Sequence, residues 1–141
     1  MVDVPFRAAA LIAAAGRSER FGENKIFAPL LGRPLLAWTL EPFLATPLIE
    51  RIVLVLKEED LPAGRALLDQ IGAQSRVIIC LGGSRRQDSV RNGLAHVGDA
   101  EWVVVHDGAR PCVTEELIVA GLEAAQATGA AVAALPVTET I

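Results

Sequence analysis

An open α/β sheet, mainly parallel and covered by helices on both faces, is the fold class this sequence predicts. Three observations predict it. Short runs that are apolar along their whole length recur through the chain, and segments with helical spacing separate them. The 141 residues are 52% hydrophobic and 21% charged, which suits one domain with a real core rather than a disordered chain. Strands that are apolar throughout are buried on both faces, as parallel sheets require. Strands that alternate with helices give right-handed βαβ crossovers.

Ala8–Ala13 is the first predicted strand. Pro34 is placed as the first residue of a helix running through Leu35, Leu36, Trp38, Leu40 and Phe43, because its fixed φ suits that position. Ile52–Leu56 is a continuous run rich in β-branched residues. Leu61–Ile71 reads as a short helix, with Pro62 in its first turn and Gly72 after its end. Val77–Leu81 is the next run, and Asp88–Val97 sets Val90, Leu94 and Val97 on one helical face. Trp102–Val105 is a further strand. Thr114 is a predicted N-cap, with Glu115 and Glu116 well placed in the first turn of a helix that ends near Gly129. Ala130–Leu135 is the last apolar run. No repeat, linker or low-complexity segment breaks the pattern. The stop at Pro136–Ile141, without a polar tail, gives the expectation of a single domain over residues 1–141 that is incomplete at its C-terminus.

The formal net charge is -4, which argues against a nucleic-acid partner. The two cysteines, Cys80 and Cys112, have no metal-ligand spacing and suggest a reducing cytoplasm. The N-terminus is no signal peptide, and no apolar run approaches the roughly 20 residues of a membrane span. Several motifs are absent: the Walker loop, the dinucleotide-binding G-x-G-x-x-G and the G-x-S-x-G elbow.

In an open α/β sheet, ligands bind at the carboxyl ends of the strands. Three loops leaving strand ends carry unusual residues. The first runs from Ala14 to Lys25. Its small Ala14 and Ala15 and its Gly16 admit a close ligand, and Arg17, Arg20 and Lys25 supply cations. The second is Gly82–Ser89, where Gly82 and Gly83 permit close approach of a planar ring and Arg85 and Arg86 add charge. The third is His106–Pro111. Asp107 there suits a magnesium ion that bridges phosphates, and Arg110 suits an anion. His106 reads as a partly buried structural histidine. Each loop also has an ordinary reading, as a turn, a cap or a solvated charge. Their gathering on one sheet edge is the stronger signal.

The motif Ala13-Ala14-Ala15-Gly16 through Arg20 to Lys25 resembles that of nucleotidyltransferases acting on sugar or polyol phosphates. Gly82-Gly83-Ser84-Arg85 with Asp88-Ser89-Val90, then His106-Asp107-Gly108-Ala109-Arg110-Pro111, narrows the likeness. The set resembles the 2-C-methyl-D-erythritol 4-phosphate cytidylyltransferase family of the non-mevalonate isoprenoid pathway, across nearly the whole chain. Asn24 stands where that family usually has proline. The resemblance implies a Rossmann-like nucleotidyltransferase fold, a homodimer, CTP and a polyol phosphate as partners, and Mg²⁺ as cofactor. It implies that Ala14, Ala15 and Gly16 meet CTP through backbone amides, and that Arg20 and Lys25 act catalytically on its phosphates. Gly82, Gly83 and Ser89 would surround the cytosine and ribose, with Arg85 nearby. Asp107 would help hold CTP and the metal, and Arg110 and Thr140 would face the acceptor. A cytidylyltransferase for another polyol phosphate, such as ribitol 5-phosphate, and a non-catalytic nucleotide-binding α/β domain are the alternatives.

Overall fold

The strand-and-helix alternation read in the sequence organises the computed structural model, which describes residues 6–17 and 24–138. The strands are β1 (Ala8–Ala13), β2 (Pro29–Leu30), β3 (Arg33–Pro34), β4 (Ile49–Leu56), β5 (Val77–Leu81) and β6 (Trp102–Asp107). The helices are α1 (Leu35–Ala45), α2 (Leu61–Ile71), α3 (Arg86–Leu94) and α4 (Glu115–Thr128). Strands β1, β4, β5 and β6 form one parallel sheet in the order β5-β4-β1-β6. The short β2 and β3 pair antiparallel in a separate hairpin that the sequence did not announce. Leu31, at φ 50°, and Gly32, at φ 79°, turn that hairpin.

Residues alternate across the sheet. Ala10, Ile12, Ile52, Leu54 and Leu56 face a core shared with Leu36, Leu40 and Phe43 of α1, Leu67 and Leu68 of α2, and Ile118 and Leu122 of α4. Leu11, Val53, Val55 and Cys80 face the other side, where Val90 of α3 packs against them. Helices therefore cover both faces, three on one and α3 on the other. Each fully buried leucine or isoleucine contributes roughly 1.5–3 kcal/mol relative to exposure. The small alanines of β1 and Gly93 of α3 let the layers approach. A Cβ on Gly93 would stand 2.6 Å from a methyl of Leu11.

Local signals set the element ends. Gly72 takes the left-handed conformation at the end of α2, with Pro62 in the first turn. The Thr114 hydroxyl accepts the Leu117 N–H at the start of α4, and Gly129 closes it at φ 93°. Pro34 differs from expectation: it ends β3 and forms the N-cap of α1. α3 starts earlier than expected, at Arg86, because the Asp88 carboxylate accepts the Arg85 N–H and closes a box on its first turn; it stops at Leu94 rather than Val97. The last apolar run, Ala130–Leu135, forms no strand. It joins no sheet ladder, and Val132 and Leu135 are 87% and 90% exposed. No described helix is long and apolar enough to cross a membrane.

Candidate active site

The register brings the strand ends to one level. Ala13 pairs with Val55 on one side and Asp107 on the other, and Leu56 pairs with Leu81. The ladder continues into the loops. Ala14 N–H donates to Val55 O, Gly82 N–H to Leu56 O, and Gly108 N–H to Ala13 O, each at 2.9 Å. The order of the parallel strands reverses between β1 and β6, the place where such sheets open a crevice at their carboxyl ends.

Two glycines let these loops touch. A Cβ on Gly108 would stand 2.7 Å from the Ala14 Cβ. One on Gly82 would collide with the Ala15 Cβ and lie 2.8 Å from the Ser89 Oγ, and one on Gly83 would collide with Asp88. Contact within the protein therefore already requires small residues at 82 and 83, a reason distinct from the planar ring expected there. The buried Thr39 of α1 donates to the Gly108 carbonyl at 2.8 Å and fixes the same corner from below.

Above these contacts lies a cleft of about 930 Å³. Ala14, Ala15, Gly16, Arg17 and Lys25 line it from the β1 side, and Lys25 opens a 3-10 turn, Lys25–Phe27, whose Ile26 is seated in the core. Gly83, Arg85 and Ser89 line it from the β5 side and Asp107 from β6. Gly82 lies beneath the lining against Ala15, and Arg110 is exposed beside it. Arg20 and Thr140 lie outside the described residues.

Asp107 is the electrostatic centre. It is partly buried, and it holds ion pairs with Arg86 and, at 2.9 Å, with Arg110. Burial works against its charge, but the hydrogen bonds from Arg86 and Arg110 prevail and hold its carboxyl below the ordinary aspartate range. Arg85 pairs instead with Asp88 at 2.9 Å and pulls that carboxyl down in turn. Ser89 is buried, and its Oγ accepts the Gly83 N–H. His106 bonds the Arg110 carbonyl through Nε2 and lies 5.2 Å from the Phe43 ring, a structural placement.

Besides Ile26, the structure adds two charged lining residues absent from the sequence reading. Lys57 and Glu59 enter from the carboxyl end of β4, paired at 3.2 Å. The signal was available, since Lys57 follows the apolar run Ile52–Leu56 directly, as Ala14 follows β1. With them, Arg17, Lys25, Lys57, Arg85 and Arg86 face Glu59 and Asp107 around one cleft. Among the described residues, the cleft lining is a local cationic surplus in a chain whose net charge is -4. Such a surplus can hold a polyphosphate, with the Ala15 and Gly16 backbone beside it, while the Ala14, Gly82, Gly83 and Gly108 amides are spent inside the protein.

Comparison with known proteins bears on which polyphosphate chemistry this is. Residues 8–141 match the family described as IspD: 2-C-methyl-D-erythritol 4-phosphate cytidylyltransferase. A relative of that name from Dehalococcoides mccartyi (strain CBDB1) is 44% identical over 133 residues, covering 94% of this chain and 59% of the relative. One from Bacillus mycoides (strain KBAB4) is 39% identical, covering 93% and 59%. This chain thus spans about three-fifths of the length of the relatives it matches. Among solved structures, 4-diphosphocytidyl-2C-methyl-D-erythritol synthase from Anaerococcus prevotii DSM 20548 superposes with a TM-score of 0.75 at 26% identity, covering 86% of this chain and 52% of that one. 2-C-methyl-D-erythritol 4-phosphate cytidylyltransferase from Francisella tularensis gives 0.66 at 27% identity, covering 86% and 53%.

Proposed function

Because this chain belongs to the 2-C-methyl-D-erythritol 4-phosphate cytidylyltransferase family, we propose that the whole protein transfers CMP from CTP to 2-C-methyl-D-erythritol 4-phosphate and releases pyrophosphate, a step of isoprenoid precursor synthesis. The observation that carries this reading is the cationic cleft at the strand ends of an acidic chain.

A phosphate oxygen of the acceptor attacks the α-phosphorus of CTP, and pyrophosphate leaves. The nucleophile is anionic at neutral pH, so no strong general base is needed. Catalysis is positioning plus charge neutralisation. Lys25, with Arg20, neutralises charge growing on the α-phosphate and the leaving group. Ala15 and Gly16 offer backbone amides to the phosphates, whereas the Ala14 amide, expected to join them, is already taken by the Val55 carbonyl, so Ala14 serves through its small side chain. Gly82, Gly83, Arg85 and Ser89 frame the nucleoside, and Arg110 and Thr140 face the acceptor. The metal reading is a Mg²⁺ ion held by Asp107 and substrate phosphates, since magnesium takes one or two carboxylates plus phosphate oxygens. The Asp107 oxygens each already take an arginine, Oδ1 from Arg86 and Oδ2 from Arg110, so a bound ion would share the carboxylate with them. No group of three or more His, Cys, Asp or Glu stands together among the described residues, so its other ligands would be substrate phosphates. When bound, the ion would offset phosphate charge. Arg86 and Arg110 keep Asp107 ionised and aimed at the cleft. One nucleotidyltransferase domain over residues 1–141 rests on the alternation of strands and helices, a cytoplasmic setting on the two cysteines, and a homodimer on the family resemblance.

The test is a product assay. The whole protein is given CTP, Mg²⁺ and either 2-C-methyl-D-erythritol 4-phosphate or ribitol 5-phosphate. Faster pyrophosphate release with the methylerythritol acceptor, and its cytidylylated product, are expected. Preference for ribitol phosphate would replace the acceptor, and nucleotide binding without release from either would replace the activity.

A further inference from the structure

Asp60 is a buried aspartate, 6% exposed, outside the lining of the cleft. It ends the 3-10 turn Glu58–Asp60 that leaves β4 and stands at the N-cap of α2, yet its side chain caps nothing there. Its Oδ1 instead accepts a hydrogen bond from the Asn24 Nδ2, 36 residues away in sequence. Asn24 is the N-cap of the Lys25–Phe27 turn, and its side chain leaves that cap unmade as well. Both residues thus give up a local bond for each other. The Asp60 Oδ2 is buried without a hydrogen-bond partner among the described residues, with Lys57 Nζ 4.0 Å away. A carboxylate buried and half satisfied is a poor device for stability alone.

Resting on the reading of the cleft as a triphosphate seat, we propose that Asp60 is a positioning residue, which fastens the turn carrying Lys25 to the carboxyl end of β4 so that the Lys25 ammonium is held over the phosphates. Ile26 and Phe27 seat the turn against the core, the Leu35 N–H holds the Ala28 carbonyl at its end, and Asn24 ties its start to Asp60. Loss of the Asn24 tie leaves Lys25 present and misplaced.

The test uses the whole protein. Asn24→Ala and Asp60→Ala should lower kcat about tenfold, with less change in KM for CTP, because a displacement of about 1 Å at a reacting centre costs up to about a hundredfold and the core contacts of the turn limit the shift to less than that. Asp60→Asn keeps an acceptor oxygen and should retain most of the turnover. In hydrogen exchange, the Phe27 and Ala28 amides, which bond to the Asn24 and Lys25 carbonyls, should exchange about tenfold faster in both alanine variants, as expected when local opening sets the rate. The Leu11 and Val53 amides should stay protected. Adding Asn24→Ala to Lys25→Ala should cost little further turnover. Where Asp60→Ala does not fold, Asn24→Ala carries the test. Normal turnover in Lys25→Ala would overturn the reading of the cleft, and the proposal with it. A Lys25→Ala loss combined with normal turnover in Asn24→Ala, or with fully multiplicative losses, would overturn the fastening alone.

Discussion

Gly108 shows how one missing side chain sets the site. Its position against Ala14 brings the end of β6 onto the loop leaving β1, and its neighbour Asp107 pairs with Ala13 in the sheet. A Cβ there, 2.7 Å from the Ala14 Cβ and 3.4 Å from its Cα, has only backbone and an alanine to displace. Gly108→Ala should therefore cost about 1–3 kcal/mol of stability, as overpacking does, and should lower turnover by spreading the two loops. Urea denaturation and a pyrophosphate assay would measure both effects. Unchanged stability and turnover would mean that the corner is looser than its contacts indicate. Leu31 is the opposite case at this scale, a leucine held at φ 50° and 85% exposed, where glycine or asparagine is the usual occupant.

Among the elements, α3 carries a charge switch at its first turn. Arg85 holds the Asp88 carboxylate, with Ser84 and the Arg85 N–H adding hydrogen bonds. The arginine lowers the carboxyl below its ordinary 3.8 in the folded chain. The unfolded chain therefore takes up the proton first as pH falls. The bond's stabilisation is present above 3.8 and is lost as pH drops through the lowered folded value. Denaturation across pH should show wild type more stable than Asp88→Asn at neutral pH, with the difference closing in acid. A difference independent of pH would rule out the ion pair as its cause. The elements were largely legible, because β1 and the Ile52–Leu56 part of β4 are continuously apolar and because Pro62, Gly72, Thr114 and Gly129 punctuate helices; the start of β4 at Ile49 was not, since Glu50 and Arg51 interrupt the run. The Ala130–Leu135 run was not, since a strand needs a neighbour and composition does not state one. The β2–β3 hairpin was also missed, as two residues per strand leave no period to read.

At the scale of the whole molecule, the sheet order decides function. Strands β1, β4, β5 and β6 end together, so loops distant in sequence share one edge. That much of the site could be read from strand ends and their unusual residues. Lys57 and Glu59 escaped because only three of the four strand-end loops looked chemical. The Asn24–Asp60 bond escaped because a contact between two polar residues, each with a local capping role available, leaves no mark in sequence. The central claim is that these loops jointly cancel the charge of a triphosphate, with Lys25 acting in the transition state. The most direct measurement is kcat for cytidylyl transfer by Lys25→Ala in the whole protein, taken beside its melting temperature. The account predicts a fall of hundreds-fold, about 3–4 kcal/mol, the usual effect of losing one preorganised donor, with melting little changed. Near-normal turnover in a folded variant would contradict it.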